Sequence, residues 1–460
     1  THILQVVTMK IENVSIIGLG YVGLTMAVFL ANKGRIKVIG VDVDEEKLEK
    51  LSRGNPTFYE ERLEFLLNDG IRSNMLDFTN NYNFAILNSS ISFITVGTPS
   101  REDKSIDLTY IEEASTSIGK ALKEKDSYHL VVVRSTVTPG TCIYSVKNII
   151  EEFSEKEIGR EWGLCMNPEF LREGNALRDL SKPDRIVIGE YNKRSGDLLE
   201  EFYRQIYSGM EIPILRISLS TAEMIKYANN AFLATKISFI NSIASICEKI
   251  DGCDVVEVAK AIGLDSRISP LFLRAGLGYG GSCFPKDIKA LIEFAKEVEA
   301  CPILFESVDR INQRQALKAV EFCEQLIGNI KGRRIAVLGL AFKPGTDDIR
   351  EAPSLKIINE LLKKRANVVV YDPNAMEKVK KIYGEELVYA RNALECIAGA
   401  DCALFVTEWS EFKKLTPRVF REYMRTPAVV DGRRIFNPED FRKVGVKYMA
   451  IGLGFNYSTR

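Results

Sequence analysis

One cysteine lies in surroundings unlike those of the other eight. Cys283 stands in GYGGSCFPKD (residues 278–287), beside three glycines and two residues before Pro285. Proline favours the first turn of a helix, so the sequence predicts that a helix begins here and that the thiol lies near its N-terminus. A helix N-terminus and nearby lysines stabilise the thiolate, and glycines let a ligand approach the backbone closely. We therefore predict that Cys283 is a nucleophile and that the other cysteines are buried apolar residues.

Further reactive side chains follow predicted strands or lie on one long predicted helix. Lys226 and Asn230 are four residues apart in KYANNAF, so they share one helix face among small and apolar neighbours. Glu169 and Glu173 follow a strand in NPEFLREG, and Thr136 follows another in VVVRSTVTPG. Because α/β sheets bind ligands at the carboxyl ends of their strands, we expect these polar groups to cluster at that edge.

A glycine-rich turn predicts a dinucleotide site. GLGYVG places Gly18, Gly20 and Gly23 in GxGxxG spacing, directly after a strand and at the start of a helix. The three glycines allow a tight turn, close approach of a pyrophosphate, and close packing of the helix on the strand. Asp42 ends the next strand, where a carboxylate binds a ribose 2′-hydroxyl and repels a 2′-phosphate. The pattern favours NAD over NADP, and VGTP (96–99) follows a further strand at the same edge.

A nicotinamide cofactor together with a nucleophilic cysteine predicts oxidation of an aldehyde. Addition of Cys283 to the aldehyde gives a thiohemiacetal, which loses hydride to form a thioester that water then cleaves. The oxyanions formed in these steps need a cation and a hydrogen-bond donor, which Lys226 and Asn230 can supply.

The composition narrows the classes of function. Lys+Arg and Asp+Glu both total 62, so no net charge favours nucleic acid or an anionic membrane. The nine cysteines show no CxxC spacing, which predicts no metal site and a reduced, cytoplasmic protein. The first 18 residues lack the pattern of a secretory signal, and the apolar run at 231–247, interrupted by Lys236, predicts a buried helix and not a membrane span. The sequence contains only two histidines, His2 and His129. We therefore expect any acid–base catalysis to use Lys, Asp or Glu.

The pattern of predicted elements divides the chain into three segments. Strands and helices alternate over 9–210 and again over 320–460, and helices dominate 214–310. This predicts an α/β protein in which two Rossmann-like, doubly wound domains are joined by a helical domain with a long central helix. The second alternating segment opens with GLAFKPGTDD, which has only one glycine of the fingerprint, so the sequence leaves open whether its Lys343 contacts phosphate or solvent.

The motifs also carry a resemblance to a known family. GLGYVG, VRSTVTPGT, NPEFLREGNALRDLSKPDRIVIG, KYANNAFLATKISFINSIA, GYGGSCFPKD and GLAFKPGTDDIREAP occur in this order. The chain resembles the nucleotide-sugar dehydrogenases of the UDP-glucose/GDP-mannose dehydrogenase family over nearly its whole length, and it is most similar to the UDP-glucose branch. That resemblance implies oxidation of a sugar 6-hydroxyl to a carboxylate with two NAD and one water.

The resemblance also implies roles for individual residues. Cys283 is the nucleophile and Glu169 the base for thioester hydrolysis; Lys226 and Asn230 stabilise the oxyanion; Asp287 and Thr136 organise the water and the lysine. The implied cofactor-binding residues are Gly18, Gly20, Tyr21, Val22, Gly23, Asp42, Lys47 (where some relatives carry Arg), Thr98, Thr136, Glu173 and Arg350. The implied substrate-binding residues are Glu169, Phe170, Leu171, Lys226, Asn230, Arg267, Arg274, Gly278, Tyr279, Gly280, Phe342, Lys343 and Arg433.

Several alternatives remain open at this point. The resemblance implies a homodimer or larger homo-oligomer built on the long helix, and Arg267 belongs either to its own chain's site or to the partner's. UDP-glucose is the expected substrate, with GDP-mannose or a UDP-N-acetylhexosamine as alternatives. A two-electron hydroxy-acid dehydrogenase would share the three-segment plan without needing Cys283. A non-catalytic nucleotide-sugar-binding protein would be expected to lack Cys283, Lys226 or Glu169, and all three are present.

Overall fold

The computed structural model describes residues 11–454, which form two compact units. The first unit extends to Ala228 and the second begins at Asn229. The predicted division into three domains remains a prediction, whereas the predicted fold class is confirmed: two α/β sheets and a helical portion with one long helix.

The first unit contains an eight-stranded sheet in the order β3-β2-β1-β4-β5-β6-β7-β8. Its strands are β1 (Asn13–Ile17), β2 (Lys37–Val41), β3 (Leu76–Thr79), β4 (Ile91–Ile94), β5 (His129–Val133), β6 (Trp162–Met166), β7 (Ile186–Glu190) and β8 (Ile214–Ser218). Its helices are α1 (Tyr21–Phe29), α2 (Glu45–Ser52), α3 (Leu63–Arg72), α4 (Tyr82–Leu87), α5 (Thr109–Lys123), α6 (Lys147–Ser154), α7 (Ala176–Ser181) and α8 (Lys193–Ile206). π-helical turns at Leu30–Gly34 and Cys142–Val146 adjoin α1 and α6.

Alternating side chains of the central strands build a core on each face of this sheet. Along β5, Leu130 and Val132 pack into one core, while Val131 and Val133 pack into the other. Burial on both faces explains why these strands read as continuous apolar runs in the sequence.

The sheet departs from the prediction at one edge. β6 and β7 pair antiparallel, so β7 and β8 run against the other six strands. The connecting helix α7 has six residues and is only about 9 Å long.

One local prediction is also corrected. The segment expected to be helical from about residue 214 opens instead with strand β8. At the end of the first helix, the left-handed residue that closes the chain's helical path is Arg35, with φ of 49°.

The long predicted helix is present as α9 (Leu219–Cys247), which begins in the first unit and continues in the second. Four helices of the second unit follow it: α10 (Val255–Gly263), α11 (Phe284–Glu297), α12 (Ile303–Gln315) and α13 (Lys318–Ile327). Within residues 11–454, no helix is both long and apolar enough to cross a membrane.

A six-stranded parallel sheet completes the second unit, in the order β11-β10-β9-β12-β13-β14. Its strands are β9 (Arg334–Leu338), β10 (Asn367–Tyr371), β11 (Val388–Tyr389), β12 (Cys402–Phe405), β13 (Ala428–Asp431) and β14 (Lys447–Ala450). Its helices are α14 (Pro353–Lys363), α15 (Met376–Tyr383), α16 (Ala393–Ile397), α17 (Pro417–Tyr423) and α18 (Pro438–Lys443), with 3₁₀ turns at Gly384–Glu386 and Phe412–Lys414. The order 3-2-1-4-5-6 is that of a dinucleotide-binding sheet, which confirms the second Rossmann-like plan.

Candidate active site

The glycine turn after β1 has the geometry that a dinucleotide requires. Gly18 has φ of +96°, and a Cβ there would lie 2.8 Å from the backbone of Val96. A Cβ on Gly23 would overlap the carbonyl oxygen of Gly18, so this glycine is required for α1 to pack on β1. At Gly20, the residue before α1, a Cβ would meet nothing within 4 Å. Space at Gly20 and close packing at Gly23 therefore fit a pyrophosphate at the N-terminus of α1.

Asp42 follows β2, as predicted, and is held against the glycine turn. Its Oδ2 accepts the N–H of Leu19 (2.8 Å) and the ammonium of Lys47 (2.9 Å), and its Oδ1 accepts the N–H of Asp44 (3.1 Å). The predicted cofactor residues Asp42 and Lys47 are thus joined, and the position suits a ribose hydroxyl.

A partly buried hydrogen-bond cluster, which the sequence did not reveal, joins α1 to the loop after β6. The hydroxyl of Tyr21 donates to Oε2 of Glu60 (2.5 Å), and the N–H of Gly174 reaches both oxygens at 2.9 Å. Burial, and then the neighbouring carboxylate, raise the pKa of the Tyr21 hydroxyl well above its ordinary value. The sequence predicts Tyr21 only as a cofactor residue; this contact also joins α1 to the loop that carries Glu169 and Glu173.

Glu169 and Lys226 form an ion pair. The Lys226 ammonium lies 2.7 Å from Oε1 of Glu169 and 2.7 Å from its carbonyl oxygen, and the two residues are 4% and 7% exposed. Burial opposes ionisation of Glu169, but the charge and hydrogen bond of Lys226, together with the N–H of Leu171, outweigh it. The pKa of Glu169 is therefore held below its ordinary value, so the group is a carboxylate able to accept a proton.

The segment that carries Glu169 is braced by residues that sequence reasoning did not single out. The guanidinium of Arg134 and the hydroxyl of Tyr203 both donate to Oδ1 of Asn167, whose amide donates to the carbonyl of Val187. Arg134 is buried at the end of β5. A charged residue directly after an apolar strand, in VVVRS, was the available signal.

A second residue missed by the sequence reading is Glu223, three residues before Lys226 on α9. Its carboxylate accepts the N–H of Gly140 (2.6 Å) and of Cys142 (2.7 Å), so it fixes the turn after Thr136 and Val137. Burial raises the pKa of Glu223, against the effect of these N–H donors.

The other predicted residues of the first unit lie on these same segments. Thr98 is buried and donates its hydroxyl to the carbonyl of Thr136 (2.9 Å). Phe170 lies under the guanidinium of Arg185, whose Cζ is 3.9 Å from the ring centroid. Val22 lies in the first turn of α1 and Glu173 lies between Leu171 and Gly174 on the loop after β6.

In the second unit, Cys283 is the N-cap residue of α11, with Pro285 in the first turn, as the sequence predicts. Its thiol is exposed, whereas six of the other cysteines are buried. The prediction that all eight others are buried is wrong for Cys301, which is exposed, and for Cys253, which is partly exposed. One turn along the helix, Asp287 accepts the amide of Asn230 (2.7 Å) and the ammonium of Lys286 (2.8 Å). Asn230 and Asp287 are both buried, so the structure brings together three of the predicted catalytic residues on and beside α11.

The loop before Cys283 joins several predicted substrate residues. Arg433 donates to the carbonyl oxygens of Gly278 (3.1 Å) and Val406 (2.7 Å), and Arg274 donates to the carbonyl of Arg433 (2.9 Å). Burial lowers the pKa of Arg433, although the Glu408 carboxylate opposes this effect. Arg433 thus holds the main chain of the loop at Gly278, and Arg274 holds the main chain of Arg433; the sequence did not reveal these contacts.

The turn after β9 packs against the same loop. The N–H of Gly281 donates to the carbonyl of Arg350 (2.8 Å), and a Cβ on Gly280 would lie 3.1 Å from Cβ of Phe342. The ammonium of Lys343 lies 5.4 Å from the Phe342 ring centroid, so its contact with phosphate stays a prediction.

Within its own unit, Arg267 lies apart from the other predicted substrate-binding residues. Its guanidinium pairs with Asp265 at 2.6 Å, and its side chain is 86% exposed. Its assignment to the substrate also stays a prediction.

The chemistry open to these groups is limited. The described residues contain no cluster of three or more His, Cys, Asp or Glu side chains that could hold a metal ion. They do contain an exposed thiol at a helix N-terminus, a buried carboxylate paired with lysine, and a glycine turn shaped for a dinucleotide. This set fits nucleophilic catalysis coupled to hydride transfer.

Family models match the chain in three consecutive segments. Residues 12–207 match the NAD binding domain of the UDP-glucose/GDP-mannose dehydrogenase family, 220–314 its central domain and 336–438 its UDP binding domain. The first of these matches bears out NAD as the cofactor.

Individual relatives are similar over nearly the full length. UDP-glucose 6-dehydrogenase TuaD of Bacillus subtilis is 40% identical over 96% of this chain and 93% of its own. UDP-glucose 6-dehydrogenase AglM of Haloferax volcanii is 42% identical over 95% and 99%. The solved structure of a UDP-glucose dehydrogenase from Pyrobaculum islandicum has a TM-score of 0.87 at 37% identity, covering 98% of each chain. The chain belongs to the UDP-glucose/GDP-mannose dehydrogenase family.

Proposed function

We propose that this chain is an NAD-dependent UDP-glucose 6-dehydrogenase, which oxidises the C6 hydroxyl of the sugar to a carboxylate in two steps. The observation that carries the proposal is Cys283, an exposed thiol at the N-terminus of α11 with Asp287 and Asn230 hydrogen-bonded one turn along. A thiol so placed suits the covalent step that distinguishes a four-electron oxidation from a two-electron one. When bound at the glycine turn, NAD supplies a hydride acceptor for each of the two oxidations.

The reaction proceeds through four balanced steps. The C6 hydroxyl loses a proton and a hydride to give the aldehyde. The Cys283 thiolate adds to the aldehyde carbon, and the resulting oxyanion belongs to a thiohemiacetal. Loss of the second hydride gives a thioester. Water attacks the thioester carbon and gives up two protons, one to Glu169 and one to solvent, and the carbon–sulfur bond breaks to release the carboxylate and the Cys283 thiolate.

Charged and polar neighbours assist these steps. The Lys226 ammonium and one N–H of the Asn230 amide, four residues apart on α9, stabilise the oxyanions. Glu169 accepts a proton from the attacking water; its lowered pKa keeps it ionised at neutral pH. Asp287 orients Asn230 through their 2.7 Å hydrogen bond.

The test is the stoichiometry of NADH with a panel of sugar nucleotides. UDP-glucose is expected to release two NADH per sugar, and GDP-mannose and UDP-N-acetylglucosamine are expected to release little. One NADH per sugar would refute the four-electron reaction, and preferential turnover of GDP-mannose would move the specificity to the alternative branch. Binding of UDP-glucose without any NADH would favour a non-catalytic protein.

Cysteine variants test the nucleophile. Cys283→Ala is expected to abolish uronate formation, and Cys283→Ser to stall at the aldehyde or at a covalent species detectable by mass spectrometry. The matched control is Cys301→Ala, because Cys301 is also exposed. Full activity of the Cys283 variants would contradict the assignment.

The proposed enzyme is a homodimer or larger homo-oligomer built on α9. Phe232, Phe239 and Ile246 recur every seven residues on this helix and are 65%, 49% and 56% exposed. Seven residues make two turns, so the three side chains form one apolar stripe, of the kind that another chain covers.

Light scattering of Phe239→Glu tests this assembly. The variant is expected to lower the oligomer's mass, whereas Phe65→Glu on α3, where Phe65 is 63% exposed, is expected to leave it unchanged. A monomeric wild-type protein would contradict the proposal.

For the compartment, we propose the cytoplasm. All nine cysteines lie within the described residues and none forms a disulfide, as is usual where thiols are kept reduced. Fractionation of the native cell tests this directly.

A further inference from the structure

The loop before Cys283 is held by buried side-chain amides. Asn312, in the last turns of α12, contacts the main chain of Tyr279 twice: its Oδ1 accepts the N–H at 2.8 Å, and its Nδ2 donates to the carbonyl at 2.9 Å. Asn312 itself is buried. One amide thus satisfies both polar groups of one loop residue, as a neighbouring strand would.

Two more amides hold the loop three residues earlier. Gln315, one turn beyond Asn312, donates to the carbonyl of Gly276 at 2.7 Å. Asn241, on α9, accepts the N–H of Gly276 at 2.8 Å. Both side chains are buried. Four main-chain groups of this short loop are therefore fixed by three side chains from two helices.

Gly278 lies between Gly276 and Tyr279, and the contact of Asn312 with Tyr279 requires a glycine there. Gly278 has φ of +91°, a conformation that other residues rarely adopt. A Cβ at this position would lie 2.6 Å from Oδ1 of Asn312. Asn312 and Gly278 are therefore matched to each other: the amide can reach Tyr279 because residue 278 has no side chain.

Tyr279, the residue held by Asn312, contacts the first residue of α11. The ring of Tyr279 packs edge-on against that of Phe284, with centroids 5.9 Å apart. Phe284 is the first residue of α11, whose N-cap is Cys283, and the Cys283 carbonyl accepts the N–H of Asp287 at 2.8 Å. A displacement of the Tyr279 main chain would therefore shift Phe284, the residue next to Cys283, through this ring contact.

We propose that Asn312 is a positioning residue for this reaction: by clasping the main chain of Tyr279, it holds the loop in the conformation that presents Cys283 to the sugar. Gln315 and Asn241 hold the other end of the same loop. The inference rests on the proposed function, in which Cys283 is the nucleophile.

Asn312→Asp provides a sharp test. Ionised, the new carboxylate still accepts the Tyr279 N–H but repels its carbonyl; protonated, it regains a donor and reproduces the amide. Burial raises the pKa of such a carboxyl group. We expect kcat/KM for UDP-glucose, relative to wild type, to be about tenfold lower at pH 8 and to recover as pH falls toward about 5, with KM for NAD unchanged. Asn312→Ala is expected to show the same loss at every pH.

Other charges around this position require a matched control. Burial raises the pKa of Tyr279, and Asp309, one turn earlier on α12, adds to this effect. Arg433 donates to the Gly278 carbonyl. Gln313→Glu introduces the same charge on the next residue, whose amide contacts Asp309 and Lys356 instead of the loop. The ratio of its kcat/KM for UDP-glucose to that of wild type is expected not to change with pH. A flat ratio for Asn312→Asp, or a folded Asn312→Ala variant with wild-type kcat/KM, would overturn the proposal.

Thiol alkylation gives a readout that does not depend on turnover. Iodoacetamide labelling of Cys283, followed by mass spectrometry, is expected to slow by about threefold or more in Asn312→Ala at neutral pH, because the thiolate depends on the N-cap position. Cys301, exposed on the loop before α12, is the internal reference. Equal Cys283 rates would overturn the inference. If the wild-type protein forms no NADH, the proposed function is refuted. The labelling rates alone then decide whether Asn312 positions Cys283.

Discussion

At the scale of single residues, the ion pair of Glu169 and Lys226 joins two groups with separate proposed roles. Each is buried, and each would be an uncompensated charge without the other. The pairing holds the pKa of Glu169 below its ordinary value, which suits the proposed role of this carboxylate as a base. A change at either residue is therefore expected to alter stability as well as catalysis.

The first prediction concerns Glu169→Gln. Because the folded-state pKa of Glu169 lies below its ordinary value of 4.5, its ionisation stabilises the fold fully above pH 4.5, and this contribution is lost as pH falls through the lowered pKa. We expect the variant to be about 2–4 kcal/mol less stable than wild type at neutral pH. The difference should shrink below pH 4.5.

Urea unfolding at several pH values measures this difference. Glu152→Gln, a glutamate at an exposed position on α6, is the control. A difference that stays constant below pH 4.5 would show that burial, and not the ion pair, governs Glu169.

At the scale of elements, the turn between β1 and α1 separates two uses of glycine. Gly23 allows the helix to approach the strand, and Gly20 leaves space in front of the helix N-terminus. Both belong to one motif in the sequence, yet Gly23 is required by the packing of the fold, whereas Gly20 leaves the space proposed for the cofactor.

The second prediction compares Gly23→Ala with Gly20→Ala. Gly23→Ala is expected to lower stability by about 2 kcal/mol or more, since the methyl group overlaps the Gly18 carbonyl. Gly20 has φ of −75°, so Gly20→Ala is expected to leave stability nearly unchanged while raising KM for NAD by about tenfold, a loss of about 1.4 kcal/mol. Thermal melts and NAD titrations of the two variants measure both effects. Unchanged NAD binding in Gly20→Ala would argue against a pyrophosphate at this turn.

At the scale of the whole molecule, the two sheets repeat one plan with different outcomes. Asp42 follows β2 and Asp372 follows β10, each beside a glycine turn after the first strand of its sheet. Asp372 accepts five internal donors: the N–H groups of Leu340, Ala341, Asn374 and Ala375, and the indole of Trp409. Asp42 accepts two N–H groups and Lys47. The acidic residue of the second sheet is thus committed to internal structure.

The third prediction follows from this contrast. Asp42→Ala is expected to raise KM for NAD by about 10–100-fold, the effect of losing a hydrogen bond to a charged group. Asp372→Ala is expected to leave that KM unchanged and to lower stability by about 2–4 kcal/mol, because buried donors lose their acceptor. NADH kinetics and the unfolding transition followed by tryptophan fluorescence separate the two. A raised KM for NAD in Asp372→Ala would contradict the division of roles.

Local patterns in the sequence were enough to predict the glycine turn, the position of Asp42, the long helix and the helix that begins beside Cys283. These features depend on periodicity, on glycine and proline conformation and on spacing over a few residues. The family resemblance then added roles for residues such as Arg433, which local patterns could not assign.

Only the tertiary structure decided which distant groups meet. Lys226 pairs with Glu169 across 57 residues of chain, and Asn312 clasps Tyr279 across 33. Packing also reversed β7 and β8, and it committed Asp372 to internal donors. The physical reason is that such contacts depend on how elements pack, and a buried polar group must find its partner wherever the fold brings one within hydrogen-bond distance.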